Sequence, residues 1–320
     1  MPRHRKILTL IISLGLLLLA QQSTYGWNST GHILVARIAW DNLSPAAQQR
    51  MVALLMQAPS DSCLRQLFPN DSRPLIQRQR EFFTLAATWP DVIRPRDDND
   101  PRPCIKYHRR NWHFVDFFWS GTSGSVTDPP RNLDIPVDQI NAAERLHLFR
   151  KLVVSSLPES DRAMALAWIL HLVGDIHQPL HTSGRVTSFP GEQHGDAGGN
   201  SFKLGPQGVT TLHSYWDNII DKRDPRHANE SFRAYIDRLS DGLEQTFPAA
   251  TFTATLNPGN INAWVSESLE KAKANAYPVT LKRNQWPNNA YATRTFQVSQ
   301  RSIAESGYRL ANMLNQLFGS

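Results

Sequence analysis

The chain has 320 residues, with 34 Lys and Arg against 28 Asp and Glu, a formal net charge of +6 and two cysteines. This length suffices for one large domain or two small ones. The modest charge gives only weak support for a polyanionic partner. The cysteines lack zinc-ribbon spacing, which excludes a cysteine-based metal site, so any bound metal must be held by His and carboxylate side chains.

The first 26 residues have the pattern of an export signal. A basic stretch precedes an apolar run over residues 7–20, which is too short to span a membrane as a helix. Thr24 and Gly26 are small residues that suit cleavage before Trp27. Removal of this segment leaves 294 residues, with 31 Lys and Arg against 28 Asp and Glu. No later stretch is apolar enough to anchor the chain. We therefore expect a secreted or periplasmic monomer without a membrane anchor.

The two cysteines, Cys63 and Cys104, are separated by 41 positions. In an oxidising compartment they can form a disulfide, which would stabilise the fold by about 3–4 kcal/mol through loop closure. The alternative is two separately buried thiols.

Apolar residues recur at helical spacing in several long segments, and sustained alternation is nearly absent, so we predict an all-α protein. Ser44 and Pro45 form an N-cap and first-turn pair. The segment 158–177 is apolar almost all round, which predicts a buried central helix. The predicted helices cover residues 30–41, 44–57, 75–88, 138–156, 158–177, 211–221, 228–245, 260–275 and 297–317.

Three long loops separate these helices, at 94–110, 120–133 and 184–209. The first is charged and proline-rich. The last is glycine-rich, with a short hairpin expected near residues 200–204, and long loops of this kind are usually functional or disordered. No repeat or break in composition divides the chain, so we expect a single domain over residues 27–320.

Two His/Asp pairs are four residues apart, which places each pair on one face of a helix. They are His171 with Asp175, and His213 with Asp217. Imidazole and carboxylate together suit Zn²⁺. A single such pair is more often an ordinary helix contact.

Three further candidate site residues each have an ordinary structural explanation when considered alone. Asp91 follows Trp89 and Pro90 and fits a turn, His113 fits a core histidine, and Trp27 fits simple packing. The order of all these residues along the chain favours a metal-binding or catalytic role over these structural ones.

Six short motifs, taken in this order, resemble the zinc-dependent S1/P1 nuclease family. That family contains secreted single-strand nucleases and 3′-nucleotidases related to bacterial zinc phospholipases C. The motifs lie between Trp27 and Asn218 and are WNSTGH, TWPD, NWHF, HLVGDIHQPLH, DAGGN and LHSYWDN. The pattern HxxxDxxQPLH, combined with a signal-peptide junction before WxxxGH, is highly specific.

The resemblance implies a mostly helical fold and three Zn²⁺ ions. The first ion would be held by Asp91, His113, His171 and Asp175. The second would be held by the free α-amino nitrogen and carbonyl oxygen of Trp27, with His32 and Asp175, so that Asp175 bridges the close pair. The third would be held by His181, His213 and Asp217. The DAGGN segment, with Asp196 and Asn200, would orient ligands. His177 lies six residues after His171, away from the metal-binding face, and is interpreted as structural.

The resemblance also implies hydrolysis of single-stranded RNA and DNA, and of 3′-nucleotides, leaving 5′-phosphate products where a strand is cut. A hydroxide shared by the close zinc pair would be the nucleophile, with Asp91 and Asp175 as catalytic residues and the third ion neutralising the leaving 3′-oxygen. Phe114 would stack on a base, Asp116 would bond the base edge, and Asn218 would contact phosphate or base. Core packing is the alternative role for Phe114. The stretch 117–124 lacks the charged residues that some fungal members carry after this motif, which leaves substrate preference open.

Two other functions are compatible with the same ligands. A zinc-dependent phospholipase C shares the ligand frame, but those enzymes commonly have Glu in place of Asp217 and lack the pair formed by Phe114 and Asn218. A non-catalytic exported zinc-binding protein needs neither a bridging carboxylate nor a ligand that is created by processing. We therefore expect the nuclease.

Overall fold

The structure is a computed structural model that describes residues 27–256 and 259–319. The predicted signal segment lies outside the described residues. The helices within these ranges are α1 (Ser29–Asp41), α2 (Pro45–Leu55), α3 (Leu75–Ala86), α4 (Trp89–Val92), α5 (Ala142–Leu152), α6 (Glu159–Asp175), α7 (Leu212–Asp217), α8 (Ile219–Arg223), α9 (Phe232–Thr246), α10 (Ile261–Asn275) and α11 (Asn289–Phe318).

Side-chain caps set where several helices begin. The hydroxyl of Ser44 accepts a hydrogen bond from the backbone N–H of Ala47 at 3.2 Å, as its position before Pro45 predicts. Asn141 caps α5, so this helix begins at Ala142 rather than near 138. Asn288 caps α11, which begins eight residues before the predicted start at 297. The predicted helix over 211–221 is two helices, α7 and α8, that meet at Asn218.

The core forms where α1, α6 and α11 pack together. From Ala165 to Asp175 every residue of α6 is buried, which confirms the predicted central helix. α11 approaches α1 closely at Gly307, where a Cβ atom would lie 2.7 Å from the side chain of Ile38. Only glycine permits this contact without a shift of one helix. The chain is thus one mostly helical domain, as predicted.

Short strands lie in the segments that precede and follow the central helix, and most of them were not predicted from the sequence. They are β1 (Phe117–Ser120), β2 (Arg131–Asn132), β3 (Ser183–Arg185), β4 (Lys203–Leu204) and β5 (Thr210–Thr211). The first sheet has the order β2-β1-β3, and β1 runs parallel to β3. The hairpin expected near 200–204 is only partly correct: β4 lies there, but its antiparallel partner β5 lies six residues further on. The parallel pairing brings the segment after His113 next to the segment after His181.

A disulfide joins Cys63 to Cys104, with Cα atoms 5.7 Å apart, so the paired alternative is correct. It ties the proline-rich loop 94–110 to the turns that follow α2. Within the described ranges, no helix combines the length and the apolar character needed to cross a membrane.

Candidate metal centre

The central helix supplies two donors to a buried polar cluster. His171 and Asp175 lie one turn apart on α6, are fully buried, and place Nε2 and Oδ2 3.0 Å from each other. The Nδ1–H of His171 donates a hydrogen bond to the carbonyl of Ala87 at 2.8 Å. Because that hydrogen is on Nδ1, the lone pair of the neutral ring is on Nε2, directed into the cluster.

Three further donors converge on this pair from separate elements. His32 on α1 places Nε2 3.4 Å from Oδ1 of Asp175, and its ring stacks on that of His171. His113, in the turn before β1, places Nδ1 2.9 Å from Nε2 of His171. Asp91 on α4 places Oδ1 3.8 Å from Nδ1 of His113. Each is buried, and close packing of α1 on α6 is possible because the facing residue is Gly174.

A second group of donors consists of His181, His213 and Asp217, whose ligand atoms all lie within 4.8 Å of one another. The Nδ1–H of His181 donates to the carbonyl of His113 at 2.6 Å. The Nδ1–H of His213 donates to the carbonyl of Gly198 at 2.8 Å. Both rings therefore present Nε2 lone pairs, and these two nitrogens face each other at 3.1 Å.

This geometry fits bound cations. Two nitrogen lone pairs facing each other repel unless a proton or metal lies between them, and two nitrogens on one tetrahedral zinc are about 3.3 Å apart. In the larger cluster, both ring nitrogens of His32, Oδ1 of Asp91 and both carboxylate oxygens of Asp175 are buried without a hydrogen-bond partner. Unpaired buried acceptors are costly, and a cation would satisfy them.

The pKa values of the cluster show how strongly its charges interact. Burial lowers the pKa of His32 to about 4, which keeps this ring neutral. Burial also opposes protonation of His171, but the charges of Asp175 and Asp91 raise its pKa to about 9. Burial, together with those two carboxylates, raises the pKa of Asp217 well above its usual range. In the metal-free protein a proton on His171 is therefore favoured, at a position that a bound cation would take.

Trp27 packs near the start of α1 and the end of α7. It is fully buried, and its side chain contacts Gly31, where a Cβ atom would lie 2.5 Å from the Cβ of Trp27. The next residue, Asn28, donates its backbone N–H to the carbonyl of Asp217 at 3.3 Å. The start of the described chain is thus held next to His32 on one side and Asp217 on the other.

Comparison with protein families gives a match to the family described as S1/P1 nuclease, over residues 27–319. The chain belongs to the S1/P1 nuclease family. It is therefore a nuclease, a hydrolase of phosphodiester bonds.

Similar proteins match over nearly their whole length. The chain is 26% identical to Nuclease S1 of Aspergillus oryzae, with 95% of this chain and 96% of that protein covered. It is 23% identical to Nuclease P1 of Penicillium citrinum, covering 92% and 98%. It is 24% identical to Endonuclease 2 of Arabidopsis thaliana, covering 95% and 94%. The similarity thus extends beyond Asn218, where the recognisable motifs end.

In this S1/P1-family nuclease a cavity of about 90 Å³ opens beside the metal-binding candidates. Its lining residues are Arg94, Arg110, His113, Phe114, Asp116, Leu180, His181, Ala197, Gly198, Asn200 and His213. The ring of Phe114 is half-buried and borders this cavity, so it is not a closed core residue. Burial, and then the charges of Asp196 and Asp138, raise the pKa of Asp116 to about 7.

Asn218 lies on another side of the cluster. Its Oδ1 accepts a hydrogen bond from Asn28 at 3.1 Å, and its amide donates to the carbonyl of Ser214 at 2.8 Å. It is not among the residues that line the cavity beside Phe114. Of the three predicted substrate contacts, Phe114 and Asp116 thus share the lining of this cavity and Asn218 does not.

Several residues that shape the site were not predicted from the sequence. Gln178 is fully buried and donates to Oδ1 of Asp217 at 2.6 Å. Its position inside the HxxxDxxQPLH motif was the feature of the sequence that could have indicated this role. Arg94 lines the cavity and follows the end of α4, where its backbone N–H donates to the carbonyl of Asp91 at 3.1 Å. No comparable signal marked Arg110.

The DAGGN segment orients a ligand candidate through its backbone. The carbonyl of Gly198 accepts from His213, whereas the buried carboxylate of Asp196 accepts from the hydroxyl of Tyr277 and from the N–H of Arg185. Gly198 has a φ of +60°, and a Cβ atom there would lie 2.4 Å from the carbonyl oxygen of Leu180. Glycine is therefore required for this approach.

His177 has partners of its own outside the cluster. Its Nδ1–H donates to the carbonyl of Val173 at 2.6 Å, and its Nε2 accepts from Nη1 of Arg309 at 2.9 Å. Both ring nitrogens are used within the core, which agrees with its interpretation as a structural residue.

Proposed function

We propose that this nuclease is a zinc-dependent enzyme that cuts single-stranded RNA and DNA to products with 5′-phosphates and that also hydrolyses 3′-nucleotides. The observation that supports it best is the convergence of buried His and Asp donors in two groups. In one group both carboxylate oxygens of Asp175 and Oδ1 of Asp91 are buried without a hydrogen-bond partner, and in the other the Nε2 atoms of His181 and His213 lie 3.1 Å apart. Imidazole and carboxylate donors of this kind suit zinc.

Three Zn²⁺ ions would use all of these donors. One would be bound by Asp91, His113, His171 and Asp175, a second by His32, Asp175 and the backbone amine and carbonyl of Trp27, and a third by His181, His213 and Asp217. The donors of His32, Asp91 and His171 also lie within 4.8 Å of one another, so the first two sites would adjoin. This closeness supports Asp175 as the shared ligand.

Zinc bound at these positions would lower the pKa of a coordinated water towards neutrality and offset charge on the phosphoryl and leaving oxygens. Asp91 is suited to orient the attacking water, because its buried Oδ1 has no hydrogen-bond partner in the protein. Arg94 lines the cavity and would offer a positive charge to a phosphoryl oxygen. Gln178 holds Asp217 in place through its 2.6 Å hydrogen bond.

The position of the donors supports a preference for single strands. All the metal-ligand candidates are buried, so a phosphodiester would reach them through the cavity only where a base can leave its stack. Phe114, at the border of this cavity, would receive that base, and stacking of this kind contributes about 1–3 kcal/mol. Asp116 lines the same cavity and would form a hydrogen bond with the base edge. Asn218 would contact the phosphate or base from the side on which Asn28 lies.

Export would complete the site. The disulfide between Cys63 and Cys104 is typical of an oxidising compartment, which supports a secreted or periplasmic location. Cleavage of the signal segment 1–26 would start the catalytic domain, residues 27–320, at Trp27. We propose that this domain acts as a monomer.

The direct test is to measure release of 5′-mononucleotides from single-stranded poly(A) by the exported protein, before and after metal removal and after zinc is restored. We expect about three zinc ions per chain, loss of activity on chelation, and recovery with zinc. Phosphatidylcholine hydrolysis without nuclease activity would instead identify a phospholipase C. Tight zinc binding with neither activity would identify a non-catalytic zinc protein, and either result would overturn the proposal.

A further inference from the structure

The segment from 94 to 110 links the element that carries Asp91 to the turn that carries His113, and it is rich in cations. Three of its six Lys and Arg side chains are engaged as follows within the segment or with its neighbours. Arg102 pairs with Asp100 at 2.6 Å. Lys106 pairs with Asp61, and the guanidinium of Arg109 donates to backbone carbonyls at 2.7 Å.

Arg110 differs from these three. Its side chain is exposed and borders the cavity that Phe114, His181 and His213 line. Among the residues that the structure describes, none forms an ion pair with its guanidinium. A positive charge thus lies at the rim of the proposed active site without an ion-pair partner in the described part of the chain.

The backbone that carries Arg110 is firmly held. Arg110 begins a short 3₁₀ turn that ends at Trp112, whose indole packs against Trp168 with ring centroids 4.9 Å apart. The guanidinium of Arg145 lies 5.3 Å from the Trp112 ring, and the Cys63–Cys104 disulfide restrains the segment from its other end. Ligand binding by Arg110 would therefore require little ordering of the chain.

We propose that Arg110 binds a second phosphate of the substrate strand, next to the phosphodiester that is cut. This inference rests on the proposed function. The interior of the cavity offers histidines, Arg94 and the Phe114 ring to one nucleotide, whereas Arg110 is at the rim, where the strand leaves the cavity. An arginine fork binds phosphate oxygens in a bidentate manner. The enzyme should accordingly prefer substrates with two or more phosphates over those with one.

The test compares the Arg110→Ala variant with the wild-type protein on two substrates, ApA with one phosphate and ApApA with two. We expect kcat/KM on ApApA to fall by about tenfold, as for loss of a charged hydrogen bond, and that on ApA to change far less. The dependence of log KM on log salt concentration for poly(A) should flatten by about 0.7, the value for one phosphate contact on a single strand. Arg110→Lys should keep the salt slope and lose part of the preference, because an ammonium is a point charge.

Arg226→Ala is the matched control, since Arg226 is an exposed arginine in the loop before α9 and does not line the cavity. It should leave both substrates and the salt slope unchanged. Equal losses by Arg110→Ala on ApA and ApApA, or no loss on either, would overturn the role of Arg110 while leaving the nuclease intact. Failure of the zinc-loaded wild-type protein to cut either substrate would overturn the proposed function as well.

Discussion

Gly174 is the residue at which helix packing and the proposed metal site can be tested together. It precedes Asp175 on α6 and faces His32 on α1. A Cβ atom at this position would lie 2.8 Å from Nδ1 and 3.2 Å from Cε1 of His32, whereas ordinary contact begins at 3.4 Å. In Gly174→Ala the imidazole must therefore move by about 0.6 Å, about three times the tolerance of roughly 0.2 Å for a metal ligand.

Two effects on stability oppose each other in this variant. Alanine in a helix interior is favoured over glycine by about 0.5–1 kcal/mol, and overpacking costs about 1–3 kcal/mol. The metal-free protein should therefore be destabilised by about 2.5 kcal/mol at most. Bound zinc should fall from about three ions to two per chain, and nuclease activity should fall with it.

Gly242→Ala is the matched control, because Gly242 lies inside α9 and a Cβ atom added there would meet nothing within 4 Å. This change should stabilise the protein by about 0.5–1 kcal/mol and leave zinc content and activity unchanged. The assays are metal analysis of the purified proteins, thermal unfolding with and without chelator, and poly(A) hydrolysis. Full zinc content and normal activity in Gly174→Ala would refute the argument that close approach at this glycine positions His32.

Three further predictions concern the remaining parts of the site. A cytoplasmic form that retains a methionine before Trp27 should lack one zinc and most of its activity. The reason is that an amide nitrogen does not bind zinc, whereas an α-amine with a pKa near 8 does. Equal zinc content in the processed and unprocessed forms would remove Trp27 from the site. Asp175→Asn should lose more bound zinc than any other conservative change, since it weakens two ions together, and retention of the full complement at normal rates would exclude a bridging role. Phe114→Ala should keep its metals and lose about 1–3 kcal/mol in binding of oligonucleotides, measured as a rise in KM; a lower melting temperature with an unchanged KM would indicate core packing instead.

Local features of this protein could be predicted from the amino-acid sequence alone. Helical periodicity identified the central helix α6, and the geometry of one helical turn placed His171 and Asp175 on the same face. The pair formed by Ser44 and Pro45 marked the start of α2. These predictions succeed because each depends on residues within a few positions of one another, where backbone geometry is fixed.

Features that depend on residues far apart in the chain required the folded structure. The strand β1 is four residues long and forms by pairing with β3, more than sixty positions later, so no local pattern could indicate it. The convergence of His32, Asp91 and His113 was expected only from the family resemblance, because no spacing relates three segments that meet through helix packing. The role of Arg110 could not be predicted from the sequence either. The surface around an exposed arginine determines whether it borders a cavity or faces open solvent, and that surface exists only after the chain has folded.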